Sequence, residues 1–364
     1  MTRRNQMTRR ILCLALLSTA AWAAEQRAKN VILFIADAAG LSTIHAASIH
    51  GYGEPHKLFI HKMPHHALME TSTASAWVTD SAAGMTAIVT GQKTQPGVIS
   101  QSASAVRGKQ DGEPLKTILE YAEERGLSSG VITNSPVTDA TPAACYAHSN
   151  DRRSSGEIFA QILSPRFGDG VDIVIGPGRK SILAAAQSMG LDIESGLKKK
   201  GFVYTDSVDA IPASARRVVA LLDSAEFDLD AAVTKAISIL SRNPKGYFLM
   251  VESDAHTNNL KRGLDRMVAV DKTVRKVVEM AGPDTLVIFA ADHSFDLRMR
   301  GGKRGEPIVP EGKEDSKANP AIRVDNGHTG EDVLVAAQGP GAHRVKGFIA
   351  NTDLFRIMMA AYGW

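Results

Sequence analysis

Short apolar runs alternate with amphipathic helical patterns along this chain, and this alternation constrains its fold more than any other feature. Seven runs have the length and composition of buried strands: residues 31–36, 131–133, 171–175, 218–222, 247–252, 286–291 and 333–337. Apolar residues at i, i+3 and i+4 spacing predict five helices: residues 114–125, 180–189, 229–240, 260–280 and 352–362. The alternation predicts an α/β fold, with a large, mostly parallel central sheet flanked by helices on both faces.

The chain shows no fixed-period repeat and no segment with the composition of a linker. Residues 94–113 are rich in Ser, Gly and Gln, and residues 301–327 are rich in Gly, Lys, Glu and Pro, so both are predicted to be surface loops. We therefore expect residues 24–364 to form a single domain.

The first 23 residues have the pattern of a cleavable signal peptide. Four arginines precede an apolar run over residues 11–17, and a small-residue stretch follows that contains Ala21-Trp22-Ala23, an A-x-A cleavage site. The run is too short to span a bilayer, and no later segment has a transmembrane pattern. The sequence predicts a secreted or periplasmic protein without a membrane anchor.

Removal of that segment changes how the bulk charge and the cysteines are interpreted. The formal net charge is +3, and the four lost arginines would bring it to −1, so the charge gives no sign of a nucleic-acid-binding surface. Cys13 would be lost as well, and Cys145 would remain without an internal disulfide partner. Its apolar surroundings favour a buried hydrophobic residue over a nucleophile.

Acidic residues and a histidine lie where several predicted strands end. Asp37 follows the first strand, Glu252 and Asp254 lie at the end of the 247–252 strand, and Asp292-His293 follow the 286–291 strand. In open α/β sheets, functional residues gather at the carboxyl ends of the strands. Carboxylates and histidines brought together there predict a metal site.

Ser81 begins a predicted helix of small residues, directly after Asp80. The start of a helix offers free N–H groups and a positive potential to a phosphate. A second interpretation is that Asp80 or Ser81 only caps the helix. The two interpretations differ in whether Ser81 faces a ligand.

Several motifs resemble the alkaline phosphatase family. They include the first-strand segment that ends at Asp37 and the nucleophile motif Asp80-Ser81-Ala82. The others occur in family order at residues 138–144, 147–152, 248–252, 291–293 and 328–332. The resemblance implies the alkaline-phosphatase-like fold, with reduced insertions, and hydrolysis of small-molecule phosphate monoesters.

The resemblance also implies individual roles. Ser81 would be the nucleophile that forms a phosphoserine, and Arg152 would bind the phosphoryl oxygens. A first zinc ion would be held by Asp37, Asp292 and His293, and it would coordinate and activate Ser81.

The same resemblance implies a second zinc ion and one magnesium ion. Asp37, Thr141 and Glu252 would hold the magnesium, which the presence of Asp139 in place of a histidine favours. His328 would hold the second zinc ion with ligands from residues 252–259, where this chain departs from the family spacing. In an extended segment, side chains two residues apart lie on the same face, so we expect Asp254 and His256 to supply those ligands.

Three points stay open at the level of sequence. A phosphodiesterase of the same superfamily, or an exported metal or phosphate binder without turnover, is an alternative to the monoesterase. The oligomeric state is undecided, because the 34 residues between His293 and His328 leave little room for an insertion that often contributes to a homodimer contact. Trp77 is predicted either to wall the pocket or to pack in the core.

Six histidines are interpreted as a solvated face rather than a site: His45, His50, His56, His61, His65 and His66.

Overall fold

The computed structural model describes residues 26–364, so the predicted signal peptide at residues 1–23 lies outside the described residues. The strands, in chain order, are β1 (Asn30–Asp37), β2 (His65–Glu70), β3 (Ser128–Thr133), β4 (Ile173–Pro177), β5 (Val203–Thr205), β6 (Val218–Leu222), β7 (Tyr247–Asp254), β8 (Thr285–Ala290), β9 (Ser294–Met299), β10 (Ile322–Thr329), β11 (Val333–Gln338) and β12 (Gly347–Ala350). The α-helices are α1 (Leu41–Tyr52), α2 (Ser81–Thr90), α3 (Ile118–Glu124), α4 (Ala140–Tyr146), α5 (Ser155–Leu163), α6 (Arg179–Ser188), α7 (Ile193–Lys199), α8 (Leu229–Leu240), α9 (Leu260–Met280) and α10 (Asn351–Tyr362).

Ten of these strands form one sheet, in the order β12-β2-β11-β8-β1-β7-β3-β4-β6-β5. Strand β11 runs antiparallel to both of its neighbours, and the other pairs are parallel. Strands β9 and β10 form a separate antiparallel ribbon. The prediction of a large, mostly parallel sheet is confirmed.

The central strands are buried along nearly their whole length because the sheet is covered on both faces. In β1 every residue after Asn30 is buried, and in β7 every residue before Asp254 is buried. Amphipathic helices such as α8 and α9 bury one side against these strands. The last residues of β1 and β7 are polar although they belong to buried strands. The sheet therefore carries buried ionisable groups at the carboxyl ends of its central strands.

The seven predicted strands and five predicted helices are all present, with ends that shift by a few residues. The prediction that residues 301–327 form only a loop is wrong, because β10 begins at Ile322 and pairs with β9. Strand β2 lies in the histidine-rich region, where half-buried polar positions concealed its pattern. A membrane-crossing helix would need a long apolar run, and no helix within residues 26–364 has one.

Candidate metal centre

The site lies at the carboxyl ends of β1, β7 and β8, the three adjacent strands at the middle of the sheet. Parallel register places Asp37 opposite Asp254, and Ile35 opposite Ala290 two residues before Asp292. Asp37, Glu252, Asp292 and His293 are all buried, with at most 2% of their surface exposed. The sheet therefore brings together the strand-end residues that the sequence singled out.

Helix α2 carries Ser81 into this site. Asp80 is the N-cap, and its side chain accepts a hydrogen bond from the Ala83 N–H. The capping interpretation is thus right for Asp80, whereas the Ser81 Oγ lies 3.1 Å from His293 Nε2 and 3.5 Å from Asp37 Oδ2. Gly84 permits this placement, because a Cβ there would lie 2.7 Å from the Asp292 carbonyl oxygen.

Three overlapping groups of side chains offer ligand atoms within 4.8 Å of one another. They are Asp37, Asp292 and His293; Asp37, Asp139 and Glu252; and His256, His293 and His328. The first group is the set that the sequence predicted for one zinc ion. The nitrogen-rich third group suits zinc, and the oxygen-only second group suits magnesium.

The three histidines present the same ring nitrogen as a ligand. Each Nδ1 lies near an oxygen: Ser294 O for His293 at 3.1 Å, Thr79 O for His328 at 2.8 Å, and Asp254 Oδ1 for His256 at 2.8 Å. A carbonyl or carboxylate oxygen only accepts hydrogen bonds, so Nδ1 carries the proton and donates it. In the neutral ring the lone pair then resides on Nε2, which is the arrangement typical of metal-binding histidines.

The electrostatics of the buried carboxyl groups also fit cations. Burial and the neighbouring Asp292 raise the pKa of Asp37 well above its usual range, and burial and Asp37 do the same to the pKa of Glu252. Asp37 Oδ1 and Glu252 Oε1 are buried without a hydrogen-bond partner. Buried carboxylates that repel one another and keep unpartnered oxygens are the donor set that a bound cation stabilises.

Arg152 and Thr141 reach the site from the α4 region. The Arg152 guanidinium donates to Asp80 and to Asp139, with both nitrogen–oxygen distances 3.0 Å, and it remains partly exposed. The Thr141 Oγ1 is buried 3.5 Å from Asp292 Oδ2. The arginine therefore lies beside Asp80, the N-cap of α2 and the residue before Ser81.

Asp254 lies beside the three ligand groups and belongs to none of them. Its Oδ1 contacts the His256 ring, and its Oδ2 accepts a hydrogen bond of 2.9 Å from Arg266, which also pairs with Glu226 at 2.7 Å. Burial lowers the pKa of His256, but Asp37 and Asp254 outweigh it and raise that pKa to about 9. His256 thus lies in the group with His293 and His328, and Asp254 holds its ring.

Sequence reasoning missed some of the polar residues around the site. Asp139, which the sequence associated with the magnesium site but did not name as a ligand, completes the oxygen-only group. Arg266 has no motif, because only the packing of α9 against β7 brings it to Asp254. Ala38 adopts a left-handed φ of 69° directly after Asp37, a strained conformation for alanine that costs about 1 kcal/mol.

The histidine-rich region does not contribute to this centre. The rings of His45, His56 and His61 contact one another, with centroid distances of 5.9 Å and 5.0 Å. Among residues 26–364, however, no group of three close ligand atoms includes a histidine from this region. Cys145 is fully buried, as its apolar surroundings predicted, and burial raises the pKa of its thiol.

A comparison with protein families matches residues 28–211 and 222–322 to the alkaline phosphatase model. The tissue-nonspecific alkaline phosphatase of Rattus norvegicus is 28% identical, and the match covers 92% of this chain and 83% of that protein. An alkaline phosphatase of Escherichia fergusonii is also 28% identical, with coverage of 93% and 87%.

Solved structures give the same result. The alkaline phosphatase of the Antarctic bacterium TAB5 superposes with a TM-score of 0.78 at 25% identity, covering 93% of this chain and 99% of that chain. A variant of that enzyme, with aspartate at its position 135 in place of histidine and magnesium in its M3 site, has a TM-score of 0.77 at 27% identity and the same coverage. The match to these structures extends over nearly the whole described chain.

Proposed function

This chain belongs to the alkaline phosphatase family, whose members are phosphatases, and we propose that it hydrolyses phosphate monoesters through a phosphoserine on Ser81. The observation that carries this proposal is the position of the Ser81 hydroxyl. It is buried at the start of α2, within 3.5 Å of Asp37 and His293, with Arg152 held beside it by Asp80. A nucleophile, an anion-binding helix end and a guanidinium thus face one point.

In this mechanism, the ester phosphate binds at the start of α2, where the helix potential favours negative charge. The planar guanidinium of Arg152 can donate to two phosphoryl oxygens at once. The Ser81 Oγ attacks phosphorus, the bond from phosphorus to the ester oxygen breaks, and the alcohol leaves. Water then cleaves the phosphoserine, which releases inorganic phosphate and restores the serine.

We propose that the centre holds two zinc ions and one magnesium ion. Asp37, Asp292 and His293 would hold the first zinc, His256 and His328 with Asp254 the second, and Asp37, Thr141 and Glu252 the magnesium, with Asp139 beside it. A bound zinc ion lowers the pKa of a coordinated hydroxyl, which supplies a serine nucleophile without a general base. The TAB5 variant with magnesium in its M3 site supports an oxygen-rich magnesium site in this fold.

The remaining features of the proposal are export and a single catalytic domain over residues 24–364. A phosphodiesterase of the same superfamily is the alternative activity. Rates on an aryl phosphate monoester, an aryl diester and an aryl sulfate decide between them. The measurements are made after chelation and after separate return of Zn²⁺ and Mg²⁺. Turnover of the monoester that returns with metal supports the proposal, and a preference for the diester overturns it.

Arg152→Ala should weaken inhibition by inorganic phosphate about 10- to 100-fold, because a charge-assisted hydrogen bond contributes about 1–3 kcal/mol. The adjacent Arg153 is exposed, so Arg153→Ala is the matched control and should leave phosphate inhibition unchanged. The inhibition constant of each variant is measured on the monoester. A loss confined to Arg153→Ala would move the phosphate-binding role by one residue.

Asp254→Ala and His256→Ala should each lower the zinc content by one ion per chain, because both residues belong to the proposed second zinc site. Asn258→Ala is the comparison variant, since Asn258 is exposed and its side chain accepts a hydrogen bond from the Asn259 N–H. Zinc is counted by elemental analysis after dialysis. If Asp254 only orients His256, its variant should bind zinc about 10- to 100-fold more weakly and still fill at high zinc. Full occupancy in both variants after dialysis would show that the site is built from other residues.

A further inference from the structure

Trp77 is the most exposed of the large hydrophobic side chains in the described part of the chain, with 88% of its surface accessible. This exposure excludes core packing, one of the two roles considered for it from the sequence. An indole ring offers a large apolar face, and its contact with water is unfavourable unless a partner covers it. The question is therefore which partner reaches this position.

On its amino-terminal side, away from α2, the segment that carries Trp77 is held by hydrogen bonds. The Thr73 N–H donates to the Ala76 carbonyl at 2.9 Å, and the Ala74 N–H donates to the Thr94 carbonyl at 3.0 Å. The hydroxyl of Thr73 accepts hydrogen bonds from the N–H groups of Ser75 and Ala76. These bonds hold the backbone before Trp77 in place, so the exposed ring does not sit on a free loop.

The other side of the segment forms part of the metal centre. Thr79 accepts a hydrogen bond from the His328 ring, and a Cβ on Gly330 would lie 3.5 Å from the Trp77 carbonyl oxygen. Trp77 precedes Ser81 by four residues, and four residues of extended chain span at most about 14 Å. Its backbone therefore lies at the rim of the site, between the nucleophile helix and the residues that follow His328.

The organic part of a monoester must occupy this rim. Ser81 is 3% exposed, so the phosphoryl group binds at the bottom of the site. In an in-line displacement the leaving alcohol points away from the attacking Ser81 Oγ, which directs it toward solvent. The leaving group and the exposed indole are thus both on the solvent side of this rim.

We propose that Trp77 is a specificity residue that stacks against the aromatic group of the ester, so that nucleoside and aryl phosphates are the preferred substrate class. This inference rests on the proposed phosphomonoesterase activity. Aromatic stacking is tolerant of base identity because every base has a π-face, so all four nucleoside 5′-monophosphates should benefit. Glycerol phosphate has no ring and should gain nothing from Trp77.

The kinetic test compares Trp77→Ala, Trp77→Phe and the wild type on adenosine 5′-monophosphate and on glycerol phosphate. We expect Trp77→Ala to lower kcat/KM about tenfold on the nucleotide, the scale of one stacked base, and to leave glycerol phosphate unchanged. Trp77→Phe should restore most of the loss. Phe348→Ala is the matched control, because Phe348 is an aromatic side chain that is 80% exposed on the edge strand β12 and belongs to none of the ligand groups. An equal loss on both substrates would overturn the assignment.

A binding test does not depend on turnover. In a Ser81→Ala background, adenosine 5′-monophosphate should quench the tryptophan fluorescence, and glycerol phosphate should not. The same background with Trp77→Phe retains Trp364, together with Trp22 where residues 1–23 are present, and should lose the quenching. Quenching that persists in the Trp77→Phe protein would overturn the proposal. A change of oligomeric state caused by Trp77→Ala would also overturn it, because it would show that a second copy of the chain covers the ring. If the wild type turns over no monoester, the proposed function fails. The quenching experiment would still show whether Trp77 contacts the base of the nucleotide.

Discussion

Ser81→Ala should lower turnover of a phosphate monoester by several orders of magnitude while the fold and the metal content stay nearly intact. The substitution removes the only atom of the side chain that can bond to phosphorus, and with it the covalent route. It removes few contacts, because within residues 26–364 the hydrogen-bond partners of the Ser81 Oγ are Asp37 and His293. Activity, elemental analysis and thermal unfolding are measured on the same preparation.

The covalent intermediate itself can be trapped. Acid quenching with labelled substrate should leave phosphate on Ser81 in the wild type and on no residue in Ser81→Ala. Ser48→Ala is the matched control, because Ser48 is also a buried serine, but its hydroxyl bonds to the Glu54 carbonyl in another part of the fold. A Ser81→Ala enzyme that kept a tenth of the activity would remove this residue from the mechanism.

Asp37→Asn should reduce activity about a thousandfold, because a catalytic metal supplies several kcal/mol of stabilisation and Asp37 belongs to two of the three ligand groups. An amide offers a neutral oxygen in place of a carboxylate, so both zinc and magnesium should bind more weakly. Elemental analysis of the dialysed variant should show both losses together. Asp296→Asn is the control, since Asp296 lies on β9 and pairs with Arg298 outside the ligand groups. Loss of one metal alone would show that Asp37 serves a single site.

In the protein freed of metal by chelation, Asp37→Asn should raise the free energy of unfolding. Burial and Asp292 raise the pKa of Asp37 in the folded state, so the folded chain binds this proton more tightly than the unfolded chain does. The free energy of unfolding then falls as the pH rises above the unfolded pKa, which is about 4. Asp37→Asn should therefore stabilise the metal-free protein at pH 8 and lose that advantage at pH 4. Equal melting temperatures at pH 8 would contradict the proposed charge repulsion.

The sequence was sufficient to predict the sheet and the candidate residues at its strand ends, because both depend on local patterns. Buried strands appear as continuous apolar runs, and a charged residue directly after such a run, such as Asp37 or Asp292, is conspicuous. Parallel pairing then brings these strand ends together without any further information. Ser81 was recognisable as a candidate for a similar reason, since its proposed role rests on a helix start and a motif.

Features that depend on contacts between distant segments were not predictable in this way. Arg266 belongs to no motif, and only the docking of α9 brings its guanidinium to Asp254. Strand β2 has mixed polarity because it lies near the edge of the sheet, so its alternation resembled a solvated face. The exposure of Trp77 depends on how its loop packs against residues 328–330, which no local pattern encodes.

The position of β1 in the sheet has a consequence for how the chain folds. β1 is the first strand along the chain, yet its two neighbours are β7 and β8, which begin at Tyr247 and Thr285. Because synthesis proceeds from the amino terminus, β1 has no partner strand until about two thirds of the chain has been made. Contacts of such long sequence separation form slowly, since the loop-closure entropy is lost before they contribute. A growing chain of this topology therefore stays unfolded at its centre until late, and its exposed first strand needs protection from aggregation during that time.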